Sequence, residues 1–320
     1  MLVRKPLNSA QPRQRLPDWL KVRAPGGERY AAIKQTLRGL DLHTVCEEAR
    51  CPNMGECWAE GTATMMVLGD TCTRGCRFCA VASGNPQGVV DANEPEHVAD
   101  AVAKMGLDYL VLTMVDRDDL ADGGAAHVSD CVQAIKRSSP HVMVEVLSGD
   151  FLGDEAALAT IAQSGAEVLA HNIEVVRRLT PLVRDSRCGY DQSLDALRAY
   201  RRLGPESGVT KASLMVGVGE TFDEVLECMD DLRDAEVEIL TIGQYLRPTM
   251  KHMAVDRFVT PDEFDRFRVE GLDRGFSYVA SGPLVRSSYK AAEQFLLAAQ
   301  SKSCQLDSSQ SLTGVPPCPK

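Results

Sequence analysis

The chain has 320 residues, 44% of them hydrophobic, enough to bury one large core or two modest ones. Its formal net charge of -10 has the wrong sign for a protein that neutralises nucleic-acid phosphates, so no nucleic-acid partner is expected. No run approaches the roughly 20 consecutive apolar residues of a membrane helix, so no membrane partner is expected and the composition reads as a soluble globular protein.

The opening segment, MLVRKPLNSAQPRQRLPDW, has no apolar stretch of the kind that directs secretion, and the chain reads as cytoplasmic. Arg4, Lys5, Arg13 and Arg15 all precede its first acidic residue, Asp18, which leaves a short organellar presequence as the alternative to a solvated tail. The chain holds 11 cysteines, an odd number ill-suited to a disulfide scaffold, and six of them form two triads between residues 46 and 79. The upstream triad is Cys46, Cys51 and Cys57 in VCEEARCPNMGECW. Its C-x4-C-x5-C spacing matches neither the paired ligands of structural zinc nor a bacterial ferredoxin run, and argues only for a metal site. Cys131, Cys188, Cys228, Cys304 and Cys318 are scattered and read as small packed hydrophobes.

Next comes TATMMVL (62–68), a buried strand by its unbroken apolar run. It leads into TCTRGCRFCAV, where Cys72, Cys76 and Cys79 share one short loop and Gly75 is expected to let the backbone turn tightly. Further strand-like runs cover 107–115, 141–147, 166–172, 209–219 and 237–246. Between them lie helical patterns, EPEHVADAVAKMG, AAHVSDCVQAIKRSS, DEAALATIAQSG, DQSLDALRAYRRLG and ETFDEVLECMDDLRDAE. Strand and helix alternate six times, which predicts parallel βαβ units and an α/β fold of the partial TIM-type (β/α)6 barrel kind. A doubly wound open sheet is the alternative, but GVGE at 217–220 is too late and too short for a dinucleotide fingerprint. In such a barrel the loops at the C-terminal ends of the strands carry the chemistry, and the cysteine loop follows the first strand. Three thiols without a fourth favour an iron-sulfur cluster over a closed zinc site.

A C-x3-C-x2-C loop with Phe78 before its last cysteine resembles the radical S-adenosylmethionine superfamily. With the upstream triad, and with EPEHVADAVAKMGLDYLVLT, VDRDDLADGGAAH, VEVLSGDF, HNIE, LTIGQYLRPT and SGPLVRSSY, the chain is similar to the lipoyl synthase family from about Leu16 to Tyr289. The resemblance implies two 4Fe-4S clusters. Cys72, Cys76 and Cys79 would hold the one whose open iron binds S-adenosylmethionine as cosubstrate. Cys46, Cys51 and Cys57 would hold a sacrificial sulfur donor with Ser288 as fourth ligand, Ser287 being the nearer alternative. Phe78 would lie against the adenine, with Asn172, Glu174 and Lys211 beside the cofactor, and Arg74 and Arg77 would offset the anionic cluster or stay solvated.

The implied reaction is insertion of two sulfur atoms at carbons 6 and 8 of an octanoyl chain on a lysine of a lipoyl carrier domain. Implied partners are octanoylated carriers (the acyltransferase subunit of a 2-oxoacid dehydrogenase or the glycine cleavage H protein), a reduced ferredoxin or flavodoxin, and an iron-sulfur carrier for cluster repair. The expected organisation is an N-terminal extension (1–60) carrying the auxiliary cysteines, a barrel (61–280), and a C-terminal extension (281–320) with RSSY and a flexible tail. Val175, Ala212, Ser213 and Arg247 depart from the family pattern. Arg177, Arg178, Arg184 and Arg187 are candidates for a basic rim that would dock an acidic carrier, or for a solvated helix face.

Overall fold

The computed structural model of the chain describes residues 15–21, 35, 53–59 and 62–288. Cys46, Cys51, the basic residues of the opening segment before Arg15, Tyr289 and the C-terminal tail lie outside the described residues. Seven strands form one parallel sheet in chain order: β1 (Thr62–Val67), β2 (Tyr109–Met114), β3 (Met143–Leu147), β4 (Val168–Ala170), β5 (Val209–Val216), β6 (Ile239–Gln244) and β7 (Tyr278–Gly282). Consecutive strands pair in register, from Thr62 opposite Tyr109 through to Ile239 opposite Tyr278. β1 and β7 stay unpaired with each other, so the barrel is open.

Helices α1 (Met54–Ala59), α2 (Glu94–Met105), α3 (Ala125–Ser138), α4 (Glu155–Ala162), α5 (Thr180–Val183), α6 (Tyr190–Leu203), α7 (Phe222–Asp234) and α8 (Pro261–Asp273) complete the described elements. Three of them start where an N-cap side chain satisfies orphan amides. Thr221 and Glu224 close a capping box on α7, Asp154 caps α4, and Thr260 with Pro261 opens α8. α2 ends on Gly106 at φ 57, a conformation glycine adopts without a Cβ penalty.

The pleat sorts the strands' side chains. Leu110, Leu112, Val144, Val146 and Leu169 face outward and pack with α2, α3 and α4, while Ala212, Leu214, Val216, Leu240 and Ile242 pack with α7 and α8. The alternate positions Tyr109, Val111, Val168, Val209 and Ile239 form a separate inner cluster made of strand residues alone. The same inner row carries Thr64, Glu145, Lys211, Ser213 and Thr241, all buried. The exterior seam against the helices is thus apolar, while the interior is studded with buried polar side chains.

The six expected strands and the five expected principal helices are present. The chain adds β7 and α8 beyond them. α8 has few apolar residues, and it is fixed by burial of Phe264 and Phe267 rather than by a continuous stripe.

Candidate metal centre

β1 ends in a left-handed turn at Leu68 (φ 69) and Gly69 (φ 87). Glu94 at the start of α2 holds that turn by accepting from the Leu68 amide at 2.8 Å, and His127 braces the same carboxylate at 2.6 Å. The chain then forms the cysteine loop. Its base is closed by a two-residue parallel ribbon, Thr71–Cys72 beside Ala82–Ser83, with the Gly84 amide donating to Cys72 O at 2.9 Å. Cys72, Cys76 and Cys79 are all half-buried inside it. Gly75, expected to permit a tight turn, does not adopt a positive φ, and a Cβ there would make only ordinary contacts. What places it is its amide, which donates to Asp185 Oδ2 at 2.8 Å.

The three sulfurs suit a metal centre. Backbone amides of Arg74 and Asp185 donate to Cys72 Sγ at 3.4 Å and to Cys76 Sγ at 3.3 Å, the contacts that offset negative charge on ligating sulfur. Without a cation the thiols are costly to ionise. Burial pushes Cys72 up and Cys79 up to about 11, and Cys76 is raised by its hydrogen bond with Cys188 and then by burial. A bound cation supplies the charge that these buried sulfurs lack.

Arg74 is fully buried, which excludes the solvated role. Its guanidinium reaches Asp118 at 2.8 Å and Asp150 at 2.8 Å, with Asp116 at 3.5 Å. It therefore pins the cysteine loop to the ends of β2 and β3. Arg77 points outward, its side chain on Leu182 O at 3.1 Å and its amide on Val183 O at 2.8 Å. Phe78 is half-buried against the core beneath α6 and α7.

Beyond β4, His171 is buried between Ser148 O (2.9 Å) and Ser193 Oγ (3.0 Å), and burial lowers it to about 4. Asn172 donates to Glu174 Oε1 at 3.1 Å, and its own Oδ1 is buried with no partner. Glu174 takes φ 67, held by its amide on Ser213 O (3.1 Å) and by the Met215 amide on its carbonyl (2.8 Å). Burial raises Glu174 against the pull of Arg184 and of the Asn172 bond. An orphaned buried acceptor costs about 1–3 kcal/mol, so this corner accepts a donor such as the amino group of a bound molecule.

Lys211 is held by a different partner. On the inner row of β5, its Nζ bonds Glu145 Oε2 at 2.9 Å, and the Tyr109 hydroxyl donates to the same oxygen at 2.9 Å. It is neutralised inside the barrel, and no hydrogen bond joins it to Asn172 or Glu174 among the described residues.

After β7 the chain turns across the mouth. Val285 N bonds Gly282 O at 3.1 Å, and Val285 O approaches Gly243 so closely that a Cβ on Gly243 would overlap it. Asn53, just before α1, donates to Leu284 O at 2.6 Å, which ties the helix carrying buried Cys57 to the segment carrying half-buried Ser287 and Ser288.

Two features were not legible in the sequence. His252, in the loop after β6, bonds Cys79 O at 2.8 Å through Nε2 and Thr249 Oγ1 at 2.9 Å through Nδ1, while the Met253 amide donates to Arg77 O at 3.2 Å. Arg247 shapes this loop through His252 O at 2.9 Å. Cys188, read as an ordinary packed thiol, lies within hydrogen-bond reach of Cys76. The four arginines offered for a basic rim or a solvated helix face are engaged within the fold. Arg177 pairs with Asp191 at 2.7 Å, Arg178 with Glu224 at 2.6 Å and Arg187 with Asp185 at 2.8 Å, and Arg184 is buried on Ser193 Oγ at 2.7 Å.

A family model described as the Radical SAM superfamily matches residues 66–232, and one described as the N-terminal domain of lipoyl synthase matches residues 3–51. A protein named lipoyl synthase from Halorhodospira halophila is 60% identical over 279 residues, covering 87% of this chain and 83% of that protein. One of the same name from Sorangium cellulosum is 57% identical over 293 residues, covering 88% and 79%. The chain belongs to the lipoyl synthase family. Among solved structures, that of HydG, a maturase of the [FeFe]-hydrogenase, is similar in fold, with a TM-score of 0.52 at 12% identity over 82% of this chain and 73% of that one. Lipoyl synthases use S-adenosylmethionine and 4Fe-4S clusters, which fits the donor set and the open acceptor found here. No helix among the described residues is long and apolar enough to cross a membrane.

Proposed function

We propose that the chain inserts two sulfur atoms at carbons 6 and 8 of an octanoyl group carried on a lysine of a lipoyl carrier domain. The observation that carries this is the loop of Cys72, Cys76 and Cys79 at the barrel mouth beside the orphaned Oδ1 of Asn172. Unactivated C–H bonds have no acidic proton, so acid–base groups alone cannot open them and a radical cofactor is required. Bound at this loop, a 4Fe-4S cluster would supply the one-electron reduction that radical cleavage of S-adenosylmethionine needs, and an auxiliary cluster would supply the sulfur.

The chain's own residues position and shield. Cys72, Cys76 and Cys79 would hold the loop cluster and supply only three of its ligands; Asn172 and Glu174 would bind the amino group of the cosubstrate, and Phe78 would flank its adenine. Arg74 fixes the loop to β2 and β3, and His252 fixes its far end. Cys46, Cys51 and Cys57 in an N-terminal extension (1–60) hold the auxiliary cluster against the barrel (61–280), with Ser288 of the C-terminal extension (281–320) as fourth ligand. The bond from Asn53 to Leu284 supports that arrangement. A serine oxygen holds iron less firmly than thiolate, which suits a cluster that is dismantled. The reading also takes reduced ferredoxin or flavodoxin as electron donor, an iron-sulfur carrier for repair, and the cytoplasm as location.

The test is a strong reductant, S-adenosylmethionine and an octanoylated carrier, followed by mass spectrometry. A carrier gaining two sulfurs together with 5'-deoxyadenosine supports the reading; a colourless zinc protein after anaerobic purification sinks it.

A further inference from the structure

We propose that Cys76 and Cys188 form a reversible disulfide when the loop cluster is absent, with a low-molecular-weight disulfide such as oxidised glutathione as the oxidant. The two thiols are held together from several sides. The Asp185 amide donates to Cys76 Sγ at 3.3 Å, and the Cys188 amide donates to Asp185 O at 2.9 Å, so one residue's peptide group orders both cysteines. Asp185 Oδ2 also accepts from the Gly75 amide at 2.8 Å, and the Arg77 amide bonds Val183 O at 2.8 Å, which locks segment 183–188 against the loop on both flanks of Cys76. The two sulfurs therefore border the same corner of the loop, Cys76 under the Asp185 amide and Cys188 against Arg74. Arg74 Nη1 donates to Cys188 Sγ at 3.4 Å from a buried position, and Cys72 is turned instead toward the Arg74 amide and Asp116.

Exposure sets the order of the exchange. Cys76 is half-buried and Cys188 is buried, so Cys76 meets the oxidant and Cys188 resolves. Cys76, losing its proton to solvent as it reacts, attacks one sulfur of oxidised glutathione and expels one glutathione thiolate, leaving a mixed disulfide. The Cys188 sulfur then attacks the Cys76 sulfur, forming the internal bond and expelling the second glutathione. Two protein thiols give up two electrons and two protons, and the two glutathione sulfurs take them. The internal bond keeps an emptied ligand from climbing to irreversible sulfur acids and is opened again by a dithiol reductant.

The protective value rests on Cys76 being a cluster ligand; the cross-link itself does not. The full-length chain, stripped of iron by a chelator under reductant, is treated anaerobically with oxidised glutathione. It is then alkylated, digested with trypsin and analysed by mass spectrometry without reduction. The expected result is peptide 75–77 joined to peptide 188–198, lost on adding dithiothreitol. In Cys188→Ser the same treatment leaves glutathione on peptide 75–77 instead. Recovery of wild-type Cys188 alkylated, with Cys76 bonded to glutathione, Cys72 or Cys79, would overturn the proposal. The cross-link is also expected to be lost in the iron-loaded chain. If it forms there as readily, the disulfide stands and Cys76 fails as a ligand.

Discussion

Lys211 and Glu145 show how much a single buried pair can matter. Both are almost completely buried, and Glu145 keeps one oxygen without a partner. Replacing Lys211 by Met strands the carboxylate and is expected to cost about 3–5 kcal/mol in urea denaturation of the iron-free chain, and Glu145→Gln in the same background recovers part of it. His171 gives a pH signature. Its ordinary value of 6.5 falls to about 4 in the folded chain, chiefly by burial. Between those values the unfolded chain binds the extra proton, so stability rises with pH through the window and levels off above it. The full contribution is about 3 kcal/mol, and at about pH 5 the His171→Gln variant should lack about 2 kcal/mol of acid destabilisation in the same denaturation assay. The cysteines and the RSSY serines were visible as residue types, because metal ligation needs particular atoms at short spacing. The roles of His252 and Cys188, and the buried ion pairs of Arg74, were not, because the partners that define them lie far away along the chain.

At the scale of elements, the mouth of the barrel is assembled from loops that lean on one another. The loop after β6 hydrogen-bonds the backbone of the cysteine loop, and the segment after β7 crosses β6 at Gly243. Gly243→Ala puts a methyl group into Val285 O and displaces that segment. The expected outcome is loss of about half the iron and of sulfur transfer, with cleavage of S-adenosylmethionine to 5'-deoxyadenosine retained, read by iron and sulfide content and by product analysis. Equal loss of both activities would place the segment's role in folding instead. β1 to β6 were legible because buried parallel strands are unbroken apolar runs. β7 escaped because YVASG is short and only Val279 faces the outer core, and α8 escaped because its stripe is two phenylalanines wide.

At the scale of the molecule, the two clusters make different demands. On the proposed reading the loop cluster lies among the ends of β1 to β4 and the β6 loop, while the auxiliary ligands would come from segments 1–60 and 281–320, which the bond from Asn53 to Leu284 ties together. A sulfur donor held there, as proposed, would be dismantled without opening the barrel. With no supply of iron and sulfide, product is therefore expected to stop at about one lipoyl group per chain, with two molecules of 5'-deoxyadenosine for each group formed, and to resume when a cluster carrier is added. Formation of many lipoyl groups per chain in iron-free buffer would count against the donor role. Because the four candidate arginines are internally paired or buried, recognition of the carrier cannot rest on them as free charges.

By itself the sequence determined the reaction class through its resemblance to a known family, which is carried by two cysteine triads and the RSSY segment, all of them local patterns along the chain. It also determined the order of strands and helices, since apolar periodicity is read over a few residues. Tertiary structure alone decided which charges are spent inside the fold, that Arg74 is a strut and Lys211 half of a buried pair, that Asn172 keeps an open acceptor, and that Cys188 lies beside Cys76. Those facts depend on contacts between residues far apart in the chain, and only burial and geometry distinguish a solvated side chain from one that holds the site together.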